Sequence, residues 1–467
     1  MPYGLEPKYR YLWPSAHLNT LPHWQAVAEK SIYVQEMPES LDELADESRW
    51  PVFFPSPICF VTLNDGTRLA LEKVVGASIV NRFPYVLALS FCKQNLSTRH
   101  HSRQVFTELL ENSGAVAVQF LPPGPSLDCA MEAITAIPEN QTHLRIAHSR
   151  LSIHQGLTNN APVFNDAYLV YEASLVKPGH DFQGQQIYST PWLDVGSHRV
   201  YFLEINAIQL RQDIAEGRSQ ILWRSLPAWT PELDPQITEP IPEPSLQSGR
   251  YQKGYTPYYS FPSAGTVAFE ANMTADHMAV KYLPALPADQ VEVDNDRARW
   301  PCFFPSSLGM ITTWTAEKMP NLMPCGSTTI ISRHPLTMAI CVSYAAINER
   351  YAPRATLNLL RQTGKFGCGI PFIDEKVVAA IKQAGNVSMN QNPHKVAQTG
   401  LVIESADWAP ILAALPIHFD CKVIGEVPLG THIMFLGQVQ RIRVRTDVRP
   451  DNPLEWYPWA KVMAVNE

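Results

Sequence analysis

One motif of eight residues occurs twice in this chain. It reads RWPVFFPS at residues 49–56 and RWPCFFPS at residues 299–306, an offset of 250 residues (299 − 49). The same offset relates Gly114 to Gly364, each of which follows a helical segment and precedes an apolar run, and Arg145 to Lys395. Solenoid repeats recur every few tens of residues. An offset this long therefore predicts that a whole domain has been duplicated.

The composition argues against several classes of function. Lys and Arg number 37 against 44 Asp and Glu, a net charge of −7, whereas nucleic-acid binding usually needs a basic face. No run approaches the ~20 apolar residues of a membrane span, and the N-terminus lacks the apolar core of a signal peptide. The eight cysteines include no C-x-x-C pair. We therefore expect free buried thiols, no metal site, no nucleic-acid or membrane partner, and a cytoplasmic location.

Two units joined by a proline-rich linker are predicted. The boundaries are 1–229 for the first unit, 230–250 for the linker and 251–467 for the second unit. Inside each unit the pattern is mostly that of short strands. Helices are expected at 354–362 and 375–383, ended by Gly364 and Gly385. Many short strands with few helices favour a barrel.

The two units differ in length at one place. Glu172 and Gly196 are 24 residues apart, whereas Lys422 and Gly430 are 8 apart, so the first unit carries 16 extra residues (24 − 8). Loops tolerate insertions best. The extra residues, around 177–192, are predicted to form a surface loop or a flap over a ligand. A solvent-exposed insertion without a role is the alternative.

Five segments of the second unit occur in the order that one protein family shows. They are 320–324 (PNLMP), 332–338 (SRHPLTM), 356–366 (TLNLLRQTGKF), Lys395 with 399–401 (TGL), and 430–439 (GTHIMFLGQV). The second unit thereby resembles the flavin reductase-like family of FMN-binding split barrels. The first unit resembles it more faintly, with Leu69 near the place of Asn321 and the closing strand kept at 196–205. The resemblance implies a mainly β fold with some α: two tandem FMN-binding split β-barrels that form a pseudo-dimer.

The resemblance also implies a function. It points to an FMN-dependent oxidoreductase in which NAD(P)H delivers a hydride to bound FMN, and the electrons pass on to free flavin or a small organic substrate. The pseudo-dimer would lie within one chain, and the oligomeric state stays open. Two alternatives remain: a specialised FMN enzyme that acts directly on a metabolite under the flap, and a non-catalytic protein that binds flavin or haem.

Candidate residues for the FMN phosphate lie where a strand ends and a helix begins. Backbone N–H groups at a helix start and nearby cations suit a phosphate. The candidates are Ser343, Arg350, Arg354, Thr356 and Asn358. A capped, solvated helix start is the alternative interpretation of the same residues.

By the resemblance, the segment from Asn321 to Ser327 faces the isoalloxazine ring. It supplies the candidates Asn321, Met323, Cys325 and Ser327. No His spacing or basic run supports an activated thiol at Cys325, so we expect this small side chain to pack on the ring.

Histidines occupy equivalent positions late in each unit. His198 and His432 each follow a Gly-Ser or Gly-Thr pair. Each histidine either makes a structural hydrogen bond within the barrel or provides a polar group beside the flavin or nicotinamide. His432 is the candidate catalytic residue. A protonated His432 would favour an anionic reduced flavin. The adjacent His100 and His101 are disfavoured as a metal site, because consecutive helical residues do not face one another.

Overall fold

The structure describes most of two β-rich regions. This computed structural model covers residues 57–74, 76–82, 84–93, 103–121, 125–181, 183–212, 306–344, 354–371 and 375–445, together with Phe54, Phe304 and short strands at 24–27, 32–36, 220–221, 254–255, 258–259 and 278–282. Arg350, the linker predicted at 230–250 and the pair His100–His101 lie outside these residues.

Strands make up most of the regular structure in the described part of the chain. Up to residue 221 the strands are β1 (Trp24–Val27), β2 (Ile32–Glu36), β3 (Pro57–Asn64), β4 (Leu69–Val74), β5 (Gly76–Arg82), β6 (Tyr85–Cys92), β7 (Ala115–Phe120), β8 (Ile153–Gln155), β9 (Pro162–Phe164), β10 (Leu169–Leu175), β11 (Gly179–His180), β12 (Gln186–Ile187), β13 (Trp192–Val195), β14 (His198–Arg211) and β15 (Gln220–Ile221). After residue 221 they are β16 (Gly254–Tyr255), β17 (Tyr258–Tyr259), β18 (Met278–Tyr282), β19 (Ser307–Trp314), β20 (Pro320–Arg333), β21 (Leu336–Ser343), β22 (Lys365–Ile370), β23 (Ile403–Glu404), β24 (Ile411–Leu412), β25 (Ile417–Pro428) and β26 (His432–Arg445). The α-helices are α1 (Gln104–Ser113), α2 (Pro125–Ala136), α3 (Arg145–Ser149), α4 (Ala355–Thr363), α5 (Glu375–Asn386) and α6 (Lys395–Gln398), and a 3₁₀ helix spans Glu139–Leu144.

Six antiparallel strands close into a barrel in the second region, here called the second barrel. The order is β26–β21–β20–β19–β22–β25, and β25 pairs back onto β26. Its interior is apolar and includes the fully buried Ile311, Phe366, Phe419 and Phe435. Burial of these alternate side chains on the inward face of each strand drives closure of the sheet.

The first region forms a barrel with the same strand order, here called the first barrel. The ring runs β14–β6–β5 and then β4–β3–β7–β10, with β10 pairing back onto β14. The consecutive strands β4 and β5 take the place of the single long β20. The protein therefore consists of two split β-barrels that form a pseudo-dimer within one chain, as the resemblance implied.

Each barrel is extended by a strand that belongs, by sequence, to the other half of the chain. Strand β2 pairs with β26 of the second barrel, from Ile32 opposite Arg445 to Glu36 opposite Arg441. Strand β18 pairs with β14 of the first barrel, from Met278 opposite Arg211 to Tyr282 opposite Ala207. These reciprocal pairings tie the two barrels together through backbone hydrogen bonds.

The repeated motif makes a second reciprocal exchange. Phe54, its second phenylalanine in the first copy, is buried in the core of the second barrel, with its ring centroid 6.1 Å from that of Phe419. Phe304, the same position in the second copy, is buried in the core of the first barrel, 5.5 Å from Phe120 and 5.3 Å from Tyr171. Each barrel core is thus completed by an aromatic ring from the motif that precedes the other barrel.

A polar and apolar seam joins the facing sheets. Ser90 Oγ donates to Ile331 O (2.6 Å), and Ser197 N–H donates to His334 O (2.8 Å). Beside these bonds, an apolar cluster draws residues from both barrels, among them Val80, Phe202, Ile331, Cys341 and Met434. The approach is close enough at Gly196 (φ +50°) that a Cβ there would lie 2.2 Å from His334 O, so this contact requires glycine.

Two details of the sequence prediction are wrong. Helix α5 continues through Gly385 to Asn386; this glycine does not have a positive φ and so does not form the left-handed cap that ends many helices. The insertion is also shorter than predicted. Strand register pairs Glu172 with Ala207 and Asp420 with Arg441, each next to a bulge, so Glu172 corresponds to Asp420 and the first barrel has 14 extra residues (24 − 10).

We predict that the exchanged phenylalanines are major sources of stability. Phe54→Ala or Phe304→Ala should lower the free energy of unfolding by ~3–5 kcal/mol, because each removes a large ring from a closed core. Urea denaturation would measure the loss. Val402→Ala, at a side chain that is 67% exposed, is the control and should change stability by less than ~0.5 kcal/mol. A loss below ~1 kcal/mol for both phenylalanines would contradict the exchange.

Candidate functional site

The candidate site lies where strand β21 leads to the start of helix α4. Arg354 is the N-cap residue of this helix, and its N–H donates to Ser343 O (3.1 Å), the last residue of the strand. No side chain caps the helix. The N-terminal end of a helix carries unpaired N–H groups and a partial positive charge, so this end can accept an anion.

Polar atoms without partners are buried beside that helix start. Asn321 is 1% exposed; its Nδ2 donates to Thr313 Oγ1 (3.2 Å) and to Thr356 Oγ1 (2.9 Å). Asn321 Oδ1 and the Oγ of Ser343, which is 6% exposed, have no hydrogen-bond partner among the described residues. Buried polar groups are nearly always satisfied. These two atoms therefore indicate a polar ligand or water at this place.

Two cations of the site have no carboxylate partner among the described residues. Lys395, 4% exposed, donates from Nζ to Ala384 O (3.2 Å) and Val387 O (3.0 Å). Neither Lys395 nor Arg354 forms an ion pair with any residue that the structure describes. Burial, and next the charge of Arg354, lowers the pKa of Lys395 to about 8. Uncompensated buried positive charge is costly, so the site favours an anion.

His432 lies on β26 opposite Ser343. Its Nδ1 is 2.8 Å from Thr431 Oγ1, and its N–H donates to Asn81 Oδ1 (3.2 Å) of the first barrel. Burial, and then the charges of Arg82 and Arg354, lowers the pKa of His432 to about 3. In the ligand-free protein the imidazole is therefore neutral at physiological pH.

The other candidates are distributed around this centre. Met323 and Cys325 are buried in the core of the second barrel, and Cys325 Sγ donates to Cys341 O (3.4 Å). Burial raises the pKa of Cys325, which keeps the thiol protonated and agrees with a packing role. Ser327 is half-buried and Asn358 is exposed, so the structure brings Asn321, Ser343, Arg354 and Thr356 together but leaves Asn358 on the helix surface.

The insertion in the first barrel reaches the second barrel beside this site. Tyr344, which follows Ser343, donates its hydroxyl to Asp181 Oδ2. Tyr188 OH donates to Leu429 O (2.7 Å), three residues before His432. Tyr188 and its neighbour Ile187 are also buried in the apolar cluster between the barrels. The insertion is therefore anchored across the pseudo-dimer next to the candidate site.

Sequence reasoning missed two residues of the site. Lys395 belongs to one of the five family-like segments, but nothing in its sequence context shows that its amine is buried near Arg354. Arg82 belongs to the first barrel and comes near Arg354 and His432 only because the barrels pack together. A residue contributed by another domain leaves no local sequence signal.

The comparison with protein families agrees with this location. The model of the flavin reductase like domain matches residues 301–461, the stretch that contains the second barrel. Among curated proteins, an uncharacterised protein of Archaeoglobus fulgidus is 22% identical over 124 residues, which cover 26% of this chain and 64% of that protein. The chain therefore spans less than two thirds of that relative. Residues 301–461 are therefore similar to a flavin reductase like domain.

Solved structures with this likeness cover about a third of the chain. Flavoredoxin of Desulfovibrio vulgaris is 23% identical, with 30% of this chain and 70% of that chain covered and a TM-score of 0.26. Nitrilotriacetate monooxygenase component B from Bacillus cereus is 22% identical, with 35% and 81% covered and a TM-score of 0.29. An FMN-binding protein from Thermus thermophilus is 18% identical, with 30% and 71% covered and a TM-score of 0.25.

In the described part of this chain, no helix is long and apolar enough to span a bilayer.

We predict that anion affinity at this site depends on the charge of Lys395. The pKa of about 8 lies below the ordinary value of 10.5, so the folded protein disfavours the proton and a bound anion would favour it. The affinity for inorganic phosphate or FMN should therefore fall above pH ~8, by up to ~10-fold per pH unit. Titrations from pH 6.5 to 9.5 would measure this, and Lys395→Met should flatten the profile. An equally steep profile in the variant would contradict the role of Lys395.

Proposed function

We propose that the chain is an FMN-dependent oxidoreductase whose cofactor binds in the second barrel. The proposal rests on the cations and buried polar atoms at the start of helix α4 that have no partner among the described residues, within a stretch that matches a flavin reductase like domain. A phosphate dianion would neutralise Arg354 and Lys395 and accept hydrogen bonds from the helix start. Asn358, exposed on the helix, is the least favoured of the phosphate candidates.

The remaining candidates suit the ring of the same cofactor. Met323 and Cys325 would form an apolar wall, and Asn321 and Ser327 would offer polar groups beside it. His432, which is neutral, would act through hydrogen bonding or proton transfer. When bound, FMN would supply reversible two-electron chemistry. We propose NAD(P)H as the hydride donor and free flavin or a small organic molecule as the acceptor.

We infer that the two barrels arose by duplication, within the boundaries 1–229, 230–250 and 251–467. Strands β3 and β19 are offset by 250 residues, strands β6 and β21 by 251, and strands β7 and β22 by 250 again. The turn before β20 is one residue longer than the turn before β4, and helix α4 is one residue shorter than α1. This pair of compensating changes supports descent from one ancestral domain.

The insertion favours one variant of this function. Because Asp181 and Tyr188 hold it beside the candidate site, it could enclose a substrate on the flavin. A specialised FMN enzyme that acts directly on a metabolite is therefore the second candidate function. The two are distinguished by whether the purified protein reduces free flavin at the expense of NAD(P)H.

Removal of the Arg354 guanidinium should affect phosphate binding selectively. The loss of a charged hydrogen bond costs ~1.5–3 kcal/mol, so Arg354→Ala should weaken FMN binding by ~10- to 150-fold but leave riboflavin, which lacks the phosphate, nearly unaffected. Flavin fluorescence quenching measures both affinities. Arg361→Ala is the matched control: Arg361 lies on the same helix but pairs with Glu426 (2.9 Å), so its removal should leave FMN binding unchanged. Equal losses for FMN and riboflavin would mean that Arg354 is structural.

Removal of a single hydroxyl group tests the link between Tyr344 and the insertion. Tyr344→Phe removes the hydroxyl that donates to Asp181. We expect faster amide exchange at residues 181–188 and a change in turnover or substrate range, with FMN affinity within ~3-fold of the wild type. This point variant is preferable to a shortened loop, which would also remove Ile187 and Tyr188 from the apolar cluster. Unchanged exchange and unchanged kinetics with every substrate tried would mean that the insertion is not a lid.

A further inference from the structure

The first barrel contains the counterparts of both cations of the candidate site. Arg103 is the N-cap residue of helix α1, and its N–H donates to Cys92 O (2.7 Å), as that of Arg354 does to Ser343 O. Arg145 is buried at the start of α3, and its Nε donates to Ile137 O (3.0 Å). Lys395 makes the corresponding bond to Val387 O, 250 residues further along the chain. The positive charges are therefore present in both barrels.

In the first barrel these charges are neutralised from within. Glu72 is fully buried. Its Oε2 atom lies 3.1 Å from Arg103 Nε and 2.5 Å from Arg145 Nη1. Strand register identifies its counterpart: Glu72 lies opposite Val61, and Met323 lies opposite Ile311, 250 residues after Val61. A buried carboxylate thus stands in the first barrel where the second barrel has a methionine.

A second acidic residue reaches the helix start itself. Glu139 Oε1 accepts a hydrogen bond from Phe106 N–H (3.3 Å) in the first turn of α1. Its counterpart 250 residues later is Met389, which is buried in the second barrel. Burial, and also the charge of Glu72, raises the pKa of Glu139, as expected for two carboxyl groups that share one site.

The polar residues of the candidate site show the opposite pattern. Where the second barrel has Asn321, Ser343 and Thr356, an offset of 251 residues places Ala70, Cys92 and Val105 in the first barrel. At these positions, and among the residues that the structure describes, the first barrel thus has internal acids without the three polar side chains, whereas the second has the three polar side chains without the acids.

We propose that the carboxyl groups of Glu72 and Glu139 take the place of a phosphate in the first barrel, so that the chain binds a single anionic cofactor, in the second barrel. An external dianion in the first barrel would face a buried carboxylate and find its cations already paired, which is unfavourable in a low-dielectric interior. The identity of the anion as FMN rests on the proposed function, but the single anion site rests on the charges alone.

The first experiment counts and locates the sites in the wild-type chain. It is titrated with FMN and, separately, with inorganic phosphate, and amide exchange is followed by mass spectrometry. We expect one FMN per chain and slower exchange at 355–358, with no change at 104–107. Two FMN per chain, or protection at 104–107, would overturn the proposal. Protection at 355–358 by phosphate without FMN binding would support the single anion site and refute the flavin assignment, whereas no protection by either ligand would refute both.

A matched pair of variants tests which cation matters. Arg354→Ala should weaken phosphate binding at least ~10-fold, and Arg103→Ala, its counterpart, should change it less than ~2-fold. The reverse ranking would place the anion in the first barrel and overturn the proposal.

A gain of binding tests the role of the two acids. The double variant Glu72→Met/Glu139→Met copies the residues of the second barrel, and phosphate should now protect 104–107. A folded double variant without this protection would show that the acids do not occupy the anion's place. If the variant fails to fold, the wild-type site count and the arginine pair still decide the proposal.

Discussion

The exchange of one phenylalanine in each direction is the constraint on which the structure depends. A six-stranded barrel closes around a small core, and here each core is completed by the ring of Phe54 or Phe304 from the other half of the chain. The two barrels therefore cannot separate without opening both cores. Their fixed relation is what brings Asn81 and Arg82 of the first barrel against His432 and Arg354 of the second.

Charge balance then distinguishes two barrels of the same topology. A buried cation needs an anion close by, because the interior does not screen it as water does. In the first barrel, Glu72 supplies this anion to Arg103 and Arg145, whereas no residue that the structure describes supplies one to Arg354 and Lys395 of the second barrel. One barrel is consequently complete as an apo structure, whereas the other is arranged for a ligand that carries the missing charge.

The sequence predicted the barrels well because its signals were local or periodic. The prediction of two barrels is confirmed, Phe54 and Phe304 of the repeated motif are buried at equivalent positions, and Arg354 and Thr356 lie at the start of a helix as the sequence pattern predicted. The comparison between the two copies was less accurate. A constant offset of 250 pairs Glu72 with Leu322, but the extra residue in the turn before β20 shifts the register so that Glu72 corresponds to Met323. The same shift makes Ala70, next to Leu69, the counterpart of Asn321. A fixed offset already pairs Glu72 with an apolar residue, but only the strand pairing identifies Met323 as its structural counterpart.

The presence of both barrels in one chain explains why such an asymmetry can persist. In a symmetric homodimer, a substitution or insertion occurs at both equivalent sites at once. In a single chain, a buried acid such as Glu72 can be present in one barrel while the other has Met323, and an insertion can be carried by one barrel only. Here the insertion of the first barrel contacts Tyr344 and Leu429 of the second, and so lies beside the open site. Two separate differences, the internal acid of the first barrel and its insertion beside the second, thus distinguish the barrels in the same sense: the cations of the first are paired internally, and the insertion borders the site whose cations are not.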